Sequence, residues 1–373
     1  MPLKDKVKVN LLQPRTKPLW DGPESNTDQG GVTFSLLSRF LVDRERFRVM
    51  VVNGLGVKEG FNHKLEFGNL WHCAEEWREG DWQSAIRAYA QGLCKKYPTS
   101  VQDVDRWYKL CKAVFPIYVE FWEKRKDRTK RTNVFTERKF RVPYTLPSGR
   151  TVYLRGKWDG VDVVEEKGKK TLWNQENKTK SRIDQFQIER QLNMDLQTMI
   201  YLIGLSHDTG IEELESIKGW NGKKFAVPVA GVRYNVVRRS EHRVGKKETV
   251  DGFVQRVAEQ VAEEATEWFM RWDVTVPTSD IERFCHRSLN PILEGLCDWW
   301  NWVNRGTDPF DNYTDTNSAR ELLGHNSIHF QMPYGVWNPL LEGAPTDLDE
   351  YLRTGSTVGL EQKTDLFPEL REE

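Results

Sequence analysis

The sequence predicts an α/β fold, with a central sheet flanked by helices, and three observations lead there. Val152–Val164 and Thr171–Thr179 are apolar, β-branched runs, separated by Glu166-Lys167-Gly168-Lys169-Lys170. Two such runs around a polar stretch containing glycine make a β-hairpin. From Asp184 to Ser206 the period changes, and Ile188, Leu192, Leu196, Met199, Ile200 and Ile203 recur three and four residues apart. That is one face of a helix. Phe225–Val237 then returns to an extended pattern, one more core strand.

Residues 1–30 are rich in proline, glycine and polar residues and read as an arm. Phe34–Val52 is a helix, and Phe61–Gly80 contains another that carries His72. Asp81–Tyr97 is amphipathic, with Trp82, Ile86, Tyr89 and Leu93 on its apolar stripe. Val101–Lys126 follows, with an aromatic stripe and Pro116, which should kink it. These stripes read as core, although fifteen tryptophans would also supply exposed rings able to stack on bases. Phe135–Tyr144 is extended, and Pro147-Ser148-Gly149 turns into the hairpin, whose first strand bends near Asp159–Gly160. Thr249–Phe269 is a long helix, Ser279 with Glu282 forms a capping box, and Asn290-Pro291 opens a last helix. No internal repeat is visible.

The candidate chemistry sits on the hairpin and the helix after it. Side chains alternate faces along a strand, so Glu176 and Lys178 share a face while Asn177 points away. Asp159 can lie across from Glu176 on the paired strand. Two carboxylates beside a lysine suit a divalent cation, which takes oxygen ligands and shares them with phosphate. Gln197 and Tyr201 are one helical turn apart and face the same way. Glu-x-Lys alone is usually a solvated strand face; the order of the motifs is what carries weight.

That order resembles the PD-(D/E)XK nuclease superfamily, in its RecB-type exonuclease branch, which is similar to the CRISPR-associated iron–sulphur nucleases. The family pattern G-x-x-D-G, E-x-K-T, Q-x-x-x-Y is met by Gly156–Gly160, Glu176-Asn177-Lys178-Thr179 and Gln197–Tyr201. Upstream, Thr33–Phe40 is similar to the family's Ser-rich helix, and Gly68-Asn69-Leu70-Trp71-His72 to its G-x-x-x-H helix. The resemblance implies a restriction-endonuclease-like core with a central mixed sheet over residues 31–275. A helical insertion at about 81–130 and a C-terminal extension over 276–373 would complete the chain. It implies His72, Asp159, Glu176 and the Asn177 carbonyl as ligands to Mg²⁺ or Mn²⁺. Lys178 would act on the attacking water or the transition state, with Gln197 and Tyr201 in support. Glu76, four residues after His72, is either its orienting partner or a surface residue. Trp158 replaces the motif proline, and Asp43 stands where the iron–sulphur set would open, so an iron–sulphur cluster is not expected.

Composition sets the outer bounds. Lysine plus arginine number 55, as do aspartate plus glutamate, so the net charge is zero. A nucleic-acid enzyme then needs segregated charge. Three basic clusters offer it: Lys124–Arg131; Lys178 with Lys180 and Arg182; and Arg238, Arg239, Arg243, Lys246 and Lys247. Lys124, Arg125, Arg128, Lys130, Arg131, Lys180 and Arg182 are the expected nucleic-acid contacts. The tail from Glu342 is acidic. Five scattered cysteines without a C-x-x-C pair argue for reduced thiols in a cytoplasmic protein. There is no membrane-length apolar run, no signal-peptide core and no phosphate-binding G-x-x-x-x-G-K-[ST] loop, so unwinding would need a partner such as a helicase or recombination protein. Three functions compete: an exonuclease or single-strand nuclease for recombination, repair or phage DNA processing; an endonuclease on the same scaffold; and a non-catalytic nucleic-acid-binding or assembly module. The intact Asp159, Glu176 and Lys178 argue against the third.

Overall fold

The structure, a computed structural model of the 373-residue chain, describes residues 17–42, 44–57, 60–125, 130–183, 195–207, 228–303 and 356–371. In chain order its main elements are α1 (Phe34–Val42), α2 (Arg44–Phe47), β1 (Leu55–Val57), α3 (His63–Glu76), α4 (Trp82–Lys96) and α5 (Val101–Lys124). Then come β2 (Lys130–Thr145), β3 (Thr151–Glu166), β4 (Lys169–Lys180), α6 (Leu196–His207), β5 (Val229–Arg238), α7 (Val250–Glu263) and α8 (Ala265–Trp268). The last are β6 (Phe269–Thr275), α9 (Thr278–Phe284), α10 (Asn290–Val303) and β7 (Leu360–Gln362).

The five-stranded sheet runs β2-β3-β4-β5-β6. β3 and β4 are antiparallel, β4 and β5 parallel, and β5 and β6 antiparallel, so the sheet is mixed and helices flank it. Two units divide the described chain, one drawn from residues 59–140 and 157–284, the other from 1–58, 141–156 and 285–373.

In the first unit α3, α4, α5 and α7 share one aromatic core. Asn62 caps α3 by accepting the Lys64 and Leu65 amides, and Phe67, Leu70, Trp71 and Ala74 form its buried stripe. Trp71 meets Phe115 and Tyr118 edge-on, with centroids 5.4 and 5.3 Å away. Buried Glu66 on α3 accepts from the Tyr89 hydroxyl (2.9 Å) and the Tyr97 hydroxyl (3.3 Å), tying α3 to α4. The aromatic stripe of residues 101–124 is therefore largely core. α5 runs through Pro116 as one helix.

The second unit is held by Trp20, Phe40, Phe47 and Trp299, packed edge to face with centroids near 5.5 Å. Leu19 and Trp20 are buried, and Trp20 Nε1 donates to the Gly31 carbonyl at 2.9 Å. β1 and β7 pair antiparallel, Leu55 opposite Gln362.

Four local expectations are corrected. β3 runs unbroken through Asp159–Gly160 rather than bending there. The expected 34–52 helix is two helices followed by a π-helical turn at Arg48–Val52. The expected 249–269 helix is interrupted at Glu264, resumes over Ala265–Trp268, and gives way at Phe269 to an edge strand, Phe269–Thr275, paired with β5. Ser279 lies inside α9, which starts at Thr278, so it caps nothing; the Pro277 carbonyl accepts the Asp280 and Ile281 amides. The expected helical segment 184–194 and strand start 225–227 fall outside the described residues.

Candidate metal centre

The hairpin turn sets the register of the site. Only Lys167 and Gly168 lie between the paired residues Glu166 and Lys169, and both have positive φ, 50° and 76°. Two left-handed residues make a type I′ turn, whose twist matches the strands it joins. The ladder pairs Gly160 with Gln175, which brings the next residue, Asp159, to the Glu176–Asn177 segment. Asp159 Oδ2 accepts the Asn177 backbone N–H at 2.6 Å. The Asn177 side chain is buried and accepts from Asn235 Nδ2 at 3.0 Å.

Glu176 and Lys178 share a face, as strand alternation requires, and the Lys178 ammonium pairs with Glu176 Oε1. Gln197, in the first turn of α6, completes a triangle. Its Oε1 accepts from Lys178 Nζ at 3.2 Å, and its Nε2 donates to Glu176 Oε1 at 2.9 Å. Tyr201, one turn on, is tied in through its backbone: its carbonyl accepts from Trp158 Nε1 at 3.1 Å. Its ring meets Phe140, which stacks on Trp158 with centroids 4.3 Å apart.

α3 delivers the histidine. Gly68 packs on β4, where a Cβ would come within 3.2 Å of Thr179 Oγ1, so a larger residue would require that side chain to give way. One turn later His72 Nδ1 lies 3.7 Å from Asp159 Oδ1 and 3.8 Å from Glu137 Oε1. Glu137, on β2, was not singled out from the sequence. It has φ of +50°, uncommon for a residue with a side chain, and its other oxygen pairs with Lys157. His72, Glu137 and Asp159 each offer a ligand atom, all within 4.8 Å of one another. Glu76 is exposed at the end of α3, so the carboxylates that face His72 are Glu137 and Asp159.

The electrostatics are those of a cation site. Burial and the neighbouring Glu176 charge push the Asp159 carboxyl up to about 7. Burial alone would lower the His72 imidazole, but hydrogen bonding to Glu137 and the charges of Asp159 and Glu137 raise it above its ordinary value. Burial likewise opposes the charge on Lys178, and Glu176 more than compensates, so it stays protonated. Glu137 is lowered despite burial, by His72 and Lys157. Glu176 is 2% exposed, and its Oε2 is buried with no hydrogen-bond partner among the described residues. A buried carboxylate oxygen left bare costs free energy, and a cation would satisfy it. The donor set is imidazole and carboxylate, which divalent metals such as Mg²⁺ and Mn²⁺ accept.

The expected nucleic-acid contacts separate into two groups. Lys180 and Arg182 are exposed beside the site, at the end of β4. Lys124 is exposed and pairs with Glu120, while the Arg125 guanidinium lies 4.3 Å above the Phe121 ring. Arg131 is 10% exposed and held by Asp273 at 3.0 Å, so it braces the sheet instead of facing solvent. Arg128 and the Lys130 side chain lie outside the described residues. No described helix is long and apolar enough to cross a membrane.

No curated protein matches the chain. The model of one family matches residues 33–287, well over half the sequence, and that span contains every residue of the site just described. A mixed sheet flanked by helices, a strand-borne Asp159, Glu176 and Lys178, and a matching family model agree: the chain belongs to the PD-(D/E)XK nuclease superfamily.

Proposed function

We propose that this protein is a metal-dependent deoxyribonuclease, acting as an exonuclease or single-strand nuclease in recombination, repair or phage DNA processing. The observation that carries the proposal is the bare, buried Glu176 Oε2 beside the charged Lys178, a few residues in space from the His72–Glu137–Asp159 cluster. His72, Asp159, Glu176 and the Asn177 carbonyl would hold Mg²⁺ or Mn²⁺, with Glu137 as a further ligand or as the group that orients His72. Such an ion lowers the pKa of a bound water and neutralises phosphate charge.

The chain's own residues do the rest. Lys178, kept protonated by Glu176, stabilises charge developing on the scissile phosphate. Gln197 fixes the Lys178 ammonium and the Glu176 carboxylate relative to each other through one amide. Tyr201 anchors the helix carrying Gln197 to Trp158, next to Asp159. Lys180 and Arg182 receive the backbone as it leaves the site.

The test uses end-labelled linear single- and double-stranded DNA beside a covalently closed circle, with Mg²⁺, Mn²⁺ or EDTA. Loss of linear DNA only, abolished by EDTA and by Lys178→Ala, is the expected result. Cutting of the circle would establish an endonuclease, and tight binding without any cutting would establish a non-catalytic module.

A further inference from the structure

Gln197 serves two partners with one side-chain amide. Its Oε1 takes the Lys178 ammonium at 3.2 Å and its Nε2 reaches Glu176 Oε1 at 2.9 Å. Both bonds depend on where the backbone of residue 197 stands. Reacting groups misplaced by about 1 Å can lose about 10²-fold in rate, so whatever seats the first turn of α6 bears on the chemistry.

Two chain neighbours seat it. Asp195 stands just before α6: its carbonyl accepts the Met199 amide at 2.9 Å, and its Oδ2 accepts the Thr198 amide at 2.9 Å. That is an N-cap. The same Oδ2 accepts from the Thr198 hydroxyl at 3.0 Å. Thr198, itself buried, also meets the Tyr234 hydroxyl. A hydroxyl carries one proton, and that of Thr198 goes to Asp195, so Tyr234 donates and Thr198 accepts. Burial and the nearby Glu176 charge push the Tyr234 phenol up, which keeps it protonated, as a donor must be. Donation runs from Tyr234 to Thr198 to Asp195, and Gln197 lies between the last two in the chain.

The far end of these bonds stands beside the site itself. β4 and β5 are parallel, and Tyr234 is the register partner of Glu176. The contacts close a ring: Glu176 to Tyr234 across the ladder, Tyr234 to Thr198 and Asp195, then Gln197 back to Glu176 and Lys178. A cap alone would serve any helix, but this one is bolted to the strand next to the metal-site carboxylate. Val232 and Val236 share the face of β5 that bears Tyr234, so filling that space calls for no hydroxyl.

We propose that Tyr234, Thr198 and Asp195 are positioning residues of the nuclease. They hold α6 against β5 in the placement from which Gln197 can grip Lys178 and Glu176 together. None of the three binds metal or substrate; each acts through Gln197. This rests on the nuclease reading above.

The experiment is steady-state cleavage of linear single-stranded DNA with Mg²⁺ or Mn²⁺ by wild type, Tyr234→Phe, Thr198→Val and Thr198→Ser. Tyr234→Phe and Thr198→Val are repeated in a Gln197→Ala background. Tyr234→Phe removes the hydroxyl and leaves the ring. Expected is about a tenfold fall in kcat with KM nearly unchanged. Thr198→Val should match it, and Thr198→Ser, which keeps the hydroxyl, should restore kcat. In the Gln197→Ala background both losses should nearly vanish, because all three changes loosen the same grip. Equal kcat for wild type and Tyr234→Phe would overturn the proposal. So would a loss that persists undiminished without Gln197, the pattern of a merely structural contact. If Tyr234→Phe does not fold, the Thr198 variants decide on the same two criteria. A wild-type protein that cuts no nucleic acid would overturn the nuclease reading, and the positioning role with it.

Discussion

One helix joins two regions built on opposite terms. On one side α3 presents Phe67, Leu70, Trp71 and Ala74 to a core where burial itself is the reward. On the other it presents His72 to Glu137 and Asp159, where burial is a penalty. In the core, even the buried Glu66 has two tyrosine hydroxyls to satisfy it. In the site, Glu176 keeps a bare oxygen, Glu137 sits at positive φ and Asp159 is forced up to about 7. The contrast teaches that stability and chemistry are supplied by different residues of the same segment, so substitutions should separate them.

The largest separation is expected at the strands. Asp159→Ala, Glu176→Ala and Lys178→Ala should each cut cleavage by about 10³-fold or more while far-UV circular dichroism stays native. Near-wild-type cleavage by all three would sink the site assignment. Next, Phe115→Ala should cost about 3–5 kcal/mol in denaturant unfolding, with any lost activity tracking the unfolded fraction. Specific activity falling in protein that remains folded would show that core and site are not separable. Glu137→Gln should raise the Mn²⁺ concentration needed for half-maximal activity by about 10–100-fold while sparing the fold. An unchanged metal requirement would leave Glu137 as a strut for Lys157 alone.

A smaller effect concerns pH without metal. The folded Asp159 pKa lies near 7, above its ordinary 3.8. A raised carboxyl stabilises the fold fully below the unfolded value and loses that contribution as pH rises through the folded one. Metal-free Asp159→Asn should therefore gain thermal stability over wild type at pH 8 and show little difference at pH 4. The reverse order would mean that the site is not short of positive charge. Mn²⁺ affinity, measured calorimetrically, should weaken by up to about tenfold per pH unit below 7 as the proton competes.

Much of this geometry could be read before any coordinates, because it is local. Glu176 and Lys178 share a face through strand alternation, Gln197 and Tyr201 align through helical period, and the hairpin lets Asp159 lie across from Glu176, although its register is set by a tighter turn, Lys167-Gly168, than the five-residue one expected. The close approach of Gly68 to β4 that seats His72 appears only in the fold. What escaped is non-local. Glu137 lies in the charged run Thr136-Glu137-Arg138-Lys139, where no period singles it out, and only the folded sheet brings it to His72. Arg131 sits in a basic run but is claimed by Asp273, 142 residues away. β6 was hidden because Trp268 and Phe269 extend the pattern of the helix before them, and only pairing with β5 ends it.

The seating of α3 has a further consequence. Because the helix that carries His72 is also the spine of the aromatic core, ligand occupancy and local unfolding are linked equilibria. A cation bound only by the folded form, at a hundredfold excess over its Kd, stabilises that form by about 2.7 kcal/mol. The amides of residues 66–76, some distance along the chain from Asp159 and Glu176, would then exchange with deuterium more slowly when the ion is present. The enzyme's resistance to heat and protease would thus report how well the cell supplies its metal.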